Sequence, residues 1–370
     1  MERRSFLHKA SVGAAAAGAL AAPAVVSAQP AVRWRLQSSF PKSLDSLFGA
    51  AELISRRVSE MTGGKFQISA HPAGEIVPGL QALDAVQAGT LEMGHTALYY
   101  YVGKEPTWAF ATAVPFGLNC RQYNAWWHQG GGNKLFNEFA NKSGVQAFLA
   151  GNTGGQMGGW FRKEIKSLAD MKGLKFRIAG LAGEVLSRLG VVTQQLAAGD
   201  VYAALEKGSL DATEFTVPYD DEKLGFQKVA KYYYYPGFWE GGAAVHAIAN
   251  QKALAALPAE YRAILEAACE EANAFVTARY DAGNPAALKR LIAGGAVLRA
   301  FPKSMLDAAY KATQDVYGEL NAKSADFKKL HDHYFAFQRD QIQWFRVNEN
   351  TFDDFMASAV TPARAAPAKK

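Results

Sequence analysis

The chain holds two cysteines and seven histidines, and none of the histidines stands in an HExxH pattern. No CxxC pair occurs either, so neither a structural zinc site nor a zinc-hydrolase helix can be assembled from local sequence. His331 and His333 lie two apart, a spacing that on a helix faces them in different directions. No GxSxG elbow occurs. Nothing sets a nucleophile beside its base, which argues against hydrolysis. Charge of one sign is also scarce. The formal net charge is +6, of which residues 1–28 carry +2 through Arg3, Arg4, Lys9 and Glu2, leaving +4. That excess is weak and scattered, so nucleic acid is not an expected partner. Beyond residue 28 no run approaches the roughly 20 apolar residues needed to span a bilayer. Cys120 and Cys269 could pair in an oxidising compartment or stand as two buried thiols; they are read here as unpaired.

What is present begins with an export signal. Arg3-Arg4-Ser5-Phe6-Leu7 precedes an Ala-rich apolar run from Ala10 to Val26, and Val26-Ser27-Ala28 offers small residues for cleavage. The paired arginines with Phe-Leu fit the twin-arginine route, and an ordinary secretory signal is the alternative. Residues 1–28 are therefore set apart from the fold, and the mature chain is expected outside the cytoplasm.

An internal repeat follows. Val86-Gln87-Ala88-Gly89-Thr90-Leu91-Glu92 matches Leu205-Glu206-Lys207-Gly208-Ser209-Leu210-Asp211 in order of residue type. Each reads as a helix end, a glycine suited to positive φ, and a short strand. Two such units point to two similarly built lobes. In the first, Val32 to Gln37 alternates as a strand. Leu47, Ala51, Ile54, Val58 and Met61 then mark one helix face, and Phe66, Ile68 and Ala70 alternate again. This β-α-β order favours a parallel sheet with a right-handed crossover. Ligands of such sheets bind at the strands' carboxyl ends, which directs attention to Ser38 to Phe40 and His95 to Tyr101. The Tyr99-Tyr100-Tyr101 run suits either packing or a cleft wall with hydroxyl donors.

The second lobe is expected to begin near Val145. Residues 151–159 hold five glycines but neither the lysine of a P-loop nor the order of a dinucleotide site, which excludes a nucleotide phosphate. Arg177 lies on the alternating strand 174–178 and suits bidentate capture of a carboxylate. Glu214 follows the repeat and would repel that anion unless a cation intervened. A monocarboxylate, Arg177, Glu214 and one sodium ion sum to zero charge, and calcium leaves +1. Gln156, Glu214 and a backbone carbonyl would supply the oxygens that hard cations prefer. Asp220-Asp221-Glu222 reads as a solvated charge run. Val245 to Asn250 reads as a strand returning to lobe one, and Pro258 as the start of a helix. No Gly or Pro interrupts residues 319–361, whose aromatic stripe would cover its own domain or a second subunit.

These motifs carry a resemblance. Leu174-Lys175-Phe176-Arg177, the Gly208 to Ala212 stretch, Ser38 to Ser43, Gly151 to Phe161, Pro218 to Phe226 and Tyr232 to Gly237 are similar to segments of the DctP-type substrate-binding proteins of TRAP (tripartite ATP-independent periplasmic) transporters, most of all the 2-oxo acid-binding branch. The similarity runs from about Trp34 to Phe355. It implies an α/β, two-lobed periplasmic-binding-protein fold with a cleft and a long C-terminal helix. Its division would be 29–144 plus 246–325 for lobe one, 145–245 for lobe two, 326–358 for the helix and 359–370 for a disordered tail. It further implies a binding protein rather than an enzyme. The ligand would be a 2-oxo monocarboxylate such as pyruvate, with a 2-hydroxy acid such as lactate the alternative. Arg177, Gln156, Asn152, Tyr100, Phe40, Trp239 and Glu240 would meet it. Gln156, Glu214 and the Phe215 backbone carbonyl would hold sodium, or alternatively calcium. Phe215 stands where the 2-oxo acid branch has Trp, which keeps the carbonyl and changes the ring. The partners implied are TRAP membrane subunits and, through the long helix, a second copy of the chain.

Overall fold

The computed structural model describes residues 31–360. The export signal and residues 361–370 lie outside the described residues. Among the described residues the strands are, in chain order, β1 (Val32–Ser38), β2 (Phe66–His71), β3 (Met93–Thr96), β4 (Val145–Asn152), β5 (Gly159–Phe161), β6 (Lys175–Arg177), β7 (Val192–Gln194), β8 (Ala212–Thr213), β9 (Tyr232–Tyr235), β10 (Ala244–Asn250) and β11 (Val297–Ala300). They form two sheets, ordered β2-β1-β3-β10-β4 and β11-β9-β5-β8-β6-β7.

The first sheet grows from the predicted β-α-β unit. Trp34 and Leu36 turn inward while Arg33 and Arg35 face solvent, the two-residue period of a strand with one covered face. β1 pairs in parallel with both β2 and β3. The helix Leu47–Met61 between β1 and β2 buries Leu47, Ala51, Ile54 and Val58, as its spacing predicts, and Met61 surfaces at its end. β10 returns antiparallel between β3 and β4.

The repeat has a shared structural role. Gly89 and Gly208 turn the chain at φ +73° and +75°, where a Cβ would be strained. The acid that follows clasps the neighbouring parallel strand. Glu92 Oε2 accepts the Arg35 backbone N–H at 2.8 Å, and Asp211 Oδ2 accepts that of Lys175 at 2.9 Å. The repeated acids therefore register β3 on β1 and β8 on β6.

Three expected boundaries change. β4, assigned to lobe two, pairs with β10 in the first sheet, so the chain crosses over after Asn152. β11, assigned to lobe one, pairs with β9 in the second sheet, and the helix Lys303–Lys323 packs on Leu181–Arg188 of that same lobe. The C-terminal helix is broken without Gly or Pro. Ala325–Val347 ends at Asn348 (φ −106°, ψ −85°), and Glu349–Val360 follows, taking Ala359 and Val360 from the expected tail.

The longest helix is Ala259–Ala293, 35 residues including Pro285, about 50 Å at 1.5 Å per residue. It packs on the helix Leu47–Met61 and on β4 in the first lobe, then on Pro218–Leu224 in the second. Gly283 permits that second contact: a Cβ there would fall 2.7 Å from the Tyr219 ring.

Candidate functional site

β8 is two residues long, wedged between β5 and β6. Glu214 thus emerges at the carboxyl ends of two parallel strands. Its N–H extends the ladder by one bond to the Arg177 carbonyl, 3.0 Å away. Arg177 answers with its side chain. Nη1 donates to the Glu214 carbonyl at 2.6 Å and to Oε2 at 3.2 Å, and Nε donates to the Leu196 carbonyl at 3.2 Å. The Phe215 ring lies 5.0 Å from the guanidinium, within range of a cation–π contact. Both charges are buried, Arg177 at 1% exposure and Glu214 at 0%. Burial pushes the Glu214 carboxyl up to about 7 despite the pull of Arg177.

The glycine-rich crossover 151–159 brings Gln156 to the same place. Its glycines are needed for backbone approach. A Cβ at Gly158 would lie 2.3 Å from the Phe301 ring, and one at Gly159 (φ +91°) 2.4 Å from the Thr213 carbonyl. Gln156 Nε2 donates to Thr153 Oγ1 at 3.1 Å. This fixes the amide so that Oε1 is left without a partner. The Gln156 N–H donates to the Glu240 carbonyl at 3.1 Å, linking the crossover to the segment that carries Glu240.

Glu240 is a second carboxylate in this enclosure. It is buried, and neither oxygen has a hydrogen-bond partner. Burial and the neighbouring Glu214 hold its pKa well above the usual carboxylate range; Arg177, Tyr99 and Gln156 pull it back. Tyr99 and Gln156 are thus close enough to act on its charge while standing outside hydrogen-bond geometry. Four buried oxygens of three neighbouring side chains are left open: Gln156 Oε1, Glu214 Oε1 and both of Glu240. Buried polar atoms without partners are rare in proteins, and a hard cation is one ligand that satisfies several oxygens at once. No three His, Cys, Asp or Glu side chains cluster as a metal site among the described residues. A cation here would therefore draw on amide and carbonyl oxygens as well as carboxylates.

Lobe one covers this array with the turn Leu98–Tyr101. Burial raises the pKa of Tyr99, and Glu240 adds to it; burial also raises Tyr100, whose proximity to Arg177 acts against it. Gln195 Nε2 of lobe two donates to the Tyr100 carbonyl at 3.1 Å. A Cβ on Gly180 of lobe two would sit 2.6 Å from the Tyr99 ring. The lobes touch here, and the cleft is closed. Three expected residues remain, Asn152, Trp239 and Phe40, and all are buried. Asn152 is buried, with Oδ1 accepting the Gly154 N–H at 3.0 Å and Nδ2 without a partner. Trp239 packs among Phe176, Phe238 and Phe301 in the second lobe's core. Phe40 lies edge-on to His95 in the first. The tyrosine run marked in the sequence supplies both Tyr99 and Tyr100 here, though Tyr100 alone is named among the expected ligand contacts. Sequence reasoning had no means of finding the Leu196 carbonyl, since a backbone acceptor leaves no mark in residue type.

Comparison with known proteins follows the same outline. Residues 37–324 match the model of bacterial extracellular solute-binding protein family 7, DctP. A monocarboxylate 2-oxoacid-binding periplasmic protein of Nostoc is 48% identical over 364 residues, covering 97% of this chain and 100% of that one. A TRAP transporter solute-binding protein from Bordetella bronchiseptica, a dimer with copurified calcium and picolinate in one active site, is 51% identical at a TM-score of 0.89, covering 90% of this chain and 100% of that one. A TRAP periplasmic solute-binding protein from Pseudoalteromonas atlantica with bound sodium and pyruvate is 34% identical at a TM-score of 0.85, covering 87% and 98%. With a matched family model spanning most of its length, two α/β lobes and a closed cleft between them, the chain belongs to the DctP family of TRAP transporter solute-binding proteins.

Proposed function

We propose that this protein captures a small 2-oxo monocarboxylate, pyruvate or a near relative, together with a cation, and presents it to TRAP membrane subunits without transforming it. The observation that carries this reading is the set of four open buried oxygens beside the Arg177 guanidinium. Arg177 takes the ligand carboxylate. Gln156, Glu214, Glu240 and the Phe215 carbonyl hold the cation, which the ligand's carboxylate and keto oxygens complete. Tyr99, Tyr100 and Asn152 close over the ligand with polar groups. Pyruvate and picolinate both carry a donor atom one carbon from a carboxylate, the arrangement that chelates a cation in a five-membered ring. Relatives that hold one or the other fit the same demand.

Glu240 changes the charge balance. Glu214, Glu240 and the ligand carry −3 in their ionised forms, and Arg177 returns +1. A divalent cation neutralises the remaining −2, whereas sodium leaves −1 in a buried site, where uncompensated charge is costly. With Glu240 protonated, the form its burial favours, the same sum reaches zero with sodium, so the ionisation of Glu240 selects between the two cations. The test is a calorimetric pyruvate titration of chelator-treated protein in buffer holding calcium, sodium or neither, with metal analysis of the protein as purified. Tight binding only in a buffer that holds one of the two cations fits the reading, and that buffer identifies the ion. Equal binding in all three buffers removes the bridging cation. Consumption of pyruvate or lactate by stoichiometric protein would overturn the binding-protein reading in favour of an exported enzyme. The twin-arginine pattern at Arg3-Arg4 and the apolar stripe of the last two helices complete the proposal: export to the periplasm by that route, and a homodimer there.

A further inference from the structure

The acidic run Asp220-Asp221-Glu222 is not a solvated face. Asp220 and Asp221 are buried, at 0% and 1% exposure, and the three acids are committed in two directions. Asp220 Oδ2 accepts the Tyr280 hydroxyl at 2.6 Å, and Glu222 takes Arg290 with both oxygens at 2.7–2.8 Å. Those two fasten the helix Pro218–Leu224 to the long helix. Asp221 points the other way, toward the strand tip that carries Glu214. Its Oδ1 accepts the Thr216 backbone N–H at 3.3 Å. Its Oδ2 accepts Trp160 Nε1 at 3.1 Å and the Tyr233 hydroxyl at 2.7 Å. Trp160 and Tyr233 are opposite each other on β5 and β9 and stack at 4.0 Å. The carboxylate is therefore held by two rigid rings before it reaches the tip.

What it grips matters. A peptide unit is planar and trans, so the N–H of one residue and the C=O of the residue before it point in opposite directions. Fixing the Thr216 N–H on Asp221 aims the Phe215 carbonyl away from Asp221. The neighbouring carbonyls of the tip are occupied. That of Glu214 accepts Arg177 Nη1 and Thr213 Oγ1, and that of Thr216 accepts the Met157 N–H at 3.2 Å. The Phe215 carbonyl accepts no hydrogen bond from the described residues. It is the one free carbonyl of the tip, one residue beyond Glu214, whose Oε1 is also free. We infer that Asp221 is a positioning residue, which through the Thr216 N–H orients the Phe215 carbonyl as a cation ligand, with Trp160 and Tyr233 holding Asp221 in register. The inference rests on the cation-bridged reading given above.

The test uses the full mature chain and two probes, calcium and terbium. Pyruvate affinity is measured across a calcium series for the wild type, Asp221→Asn, Tyr233→Phe and Trp160→Phe. Terbium luminescence then reads the cation site without pyruvate. Outer partners of metal ligands typically govern about 10–100-fold in metal affinity. Asp221→Asn should raise the calcium midpoint and weaken terbium binding by that factor, with pyruvate affinity recovering at saturating calcium. Tyr233→Phe leaves the charge at position 221 in place, so a smaller shift in the same direction reports orientation rather than charge. A role in stability alone would lower Tm and leave the midpoint where it was. If Asp221→Asn does not fold, Tyr233→Phe and Trp160→Phe decide the matter. Unchanged midpoints in the folded variants, with a calcium-dependent wild type, overturn the inference and leave the cation site standing. A wild type whose pyruvate affinity ignores both calcium and sodium overturns the site and the inference together.

Discussion

At the level of single residues the site depends on a buried ion pair that does two jobs. Arg177 offers charge to a ligand and also holds the Glu214 carbonyl and one Glu214 oxygen. Truncating one partner of a buried charge pair leaves the other uncompensated. Arg177→Ala is expected to cost about 2–5 kcal/mol of pyruvate affinity, a Kd at least roughly 30-fold weaker by calorimetry. A Kd within twofold of wild type would remove Arg177 from the site. Gly180 tests closure instead of chemistry. Its φ of +67° and the 2.6 Å from a built Cβ to the Tyr99 ring leave no room for a methyl group when the lobes are shut. Gly180→Ala should therefore weaken pyruvate binding about tenfold or more, the glycine-only backbone (φ +67°, ψ −159°) alone costing about 1–3 kcal/mol. Scattering curves of the ligand-saturated variant should stay closer to those of the open protein. A variant that closes as fully as the wild type would show that the Gly180–Tyr99 contact does not limit closure.

The two lobes carry opposite responses to acid. In the first, His95 on β3 and His246 on β10 are fully buried. Burial lowers both to about 3. Folded and neutral, they refuse a proton that the unfolded chain accepts below about 6.5, so their contribution is lost as pH falls from there toward 3. In the second lobe burial raises Asp220 to about 7, with Tyr280 pulling back, and Asp221 to about 6, with Tyr233 and Trp160 pulling back. These groups bind their proton more tightly when folded. They add stability at low pH that is lost as pH rises through about 6–7. Hydrogen-exchange protection, corrected for intrinsic rates, should therefore fall in β3 and β10 relative to β8 and the helix Pro218–Leu224 between about pH 7 and about pH 5. Equal changes in both lobes would contradict this. The same elements mark how far sequence carries. Periodicity located β1, the helix Leu47–Met61 and β2 because their burial is one-sided. Glu214 was legible because the repeat puts it at a strand's end and Arg177 because it shares that lobe, while their roles rested on the family motifs. Asp220 and Asp221 were misread as solvated, since their partners Tyr280, Trp160 and Tyr233 lie 12 to 61 residues away. The crossover of β4 and β11 between sheets was hidden for the same reason: strand pairing is set by long-range contacts that neither strand records.

Over the whole molecule the feature left unexplained by one chain is its end. The helix Ala325–Val347 buries Phe327, Leu330, Tyr334 and Phe345 against its own subunit. Beyond the break at Asn348 the helix Glu349–Val360 buries nothing. Trp344, Phe352 and Phe355 are 55%, 63% and 67% exposed, and Ile342, Val347, Met356 and Val360 stand with them. A 12-residue helix is marginal on its own in water, and Arg121 pairs with Glu349 in its first turn. An apolar stripe of this size calls for a second surface. A two-fold axis lets the same stripe serve on both copies and closes the assembly at two. The mature protein is expected to sediment as a dimer at micromolar concentration. Phe352→Glu combined with Phe355→Glu should yield a monomer. Because Arg177, Gln156, Glu214 and Glu240 all come from one chain, that monomer should bind pyruvate in calcium within about twofold of wild type, well inside the range that a lost site contact would produce. A wild type that stays monomeric across the concentration range would refute the dimer. A monomeric variant that has lost pyruvate binding would instead mean that the second copy holds the cleft in its working shape.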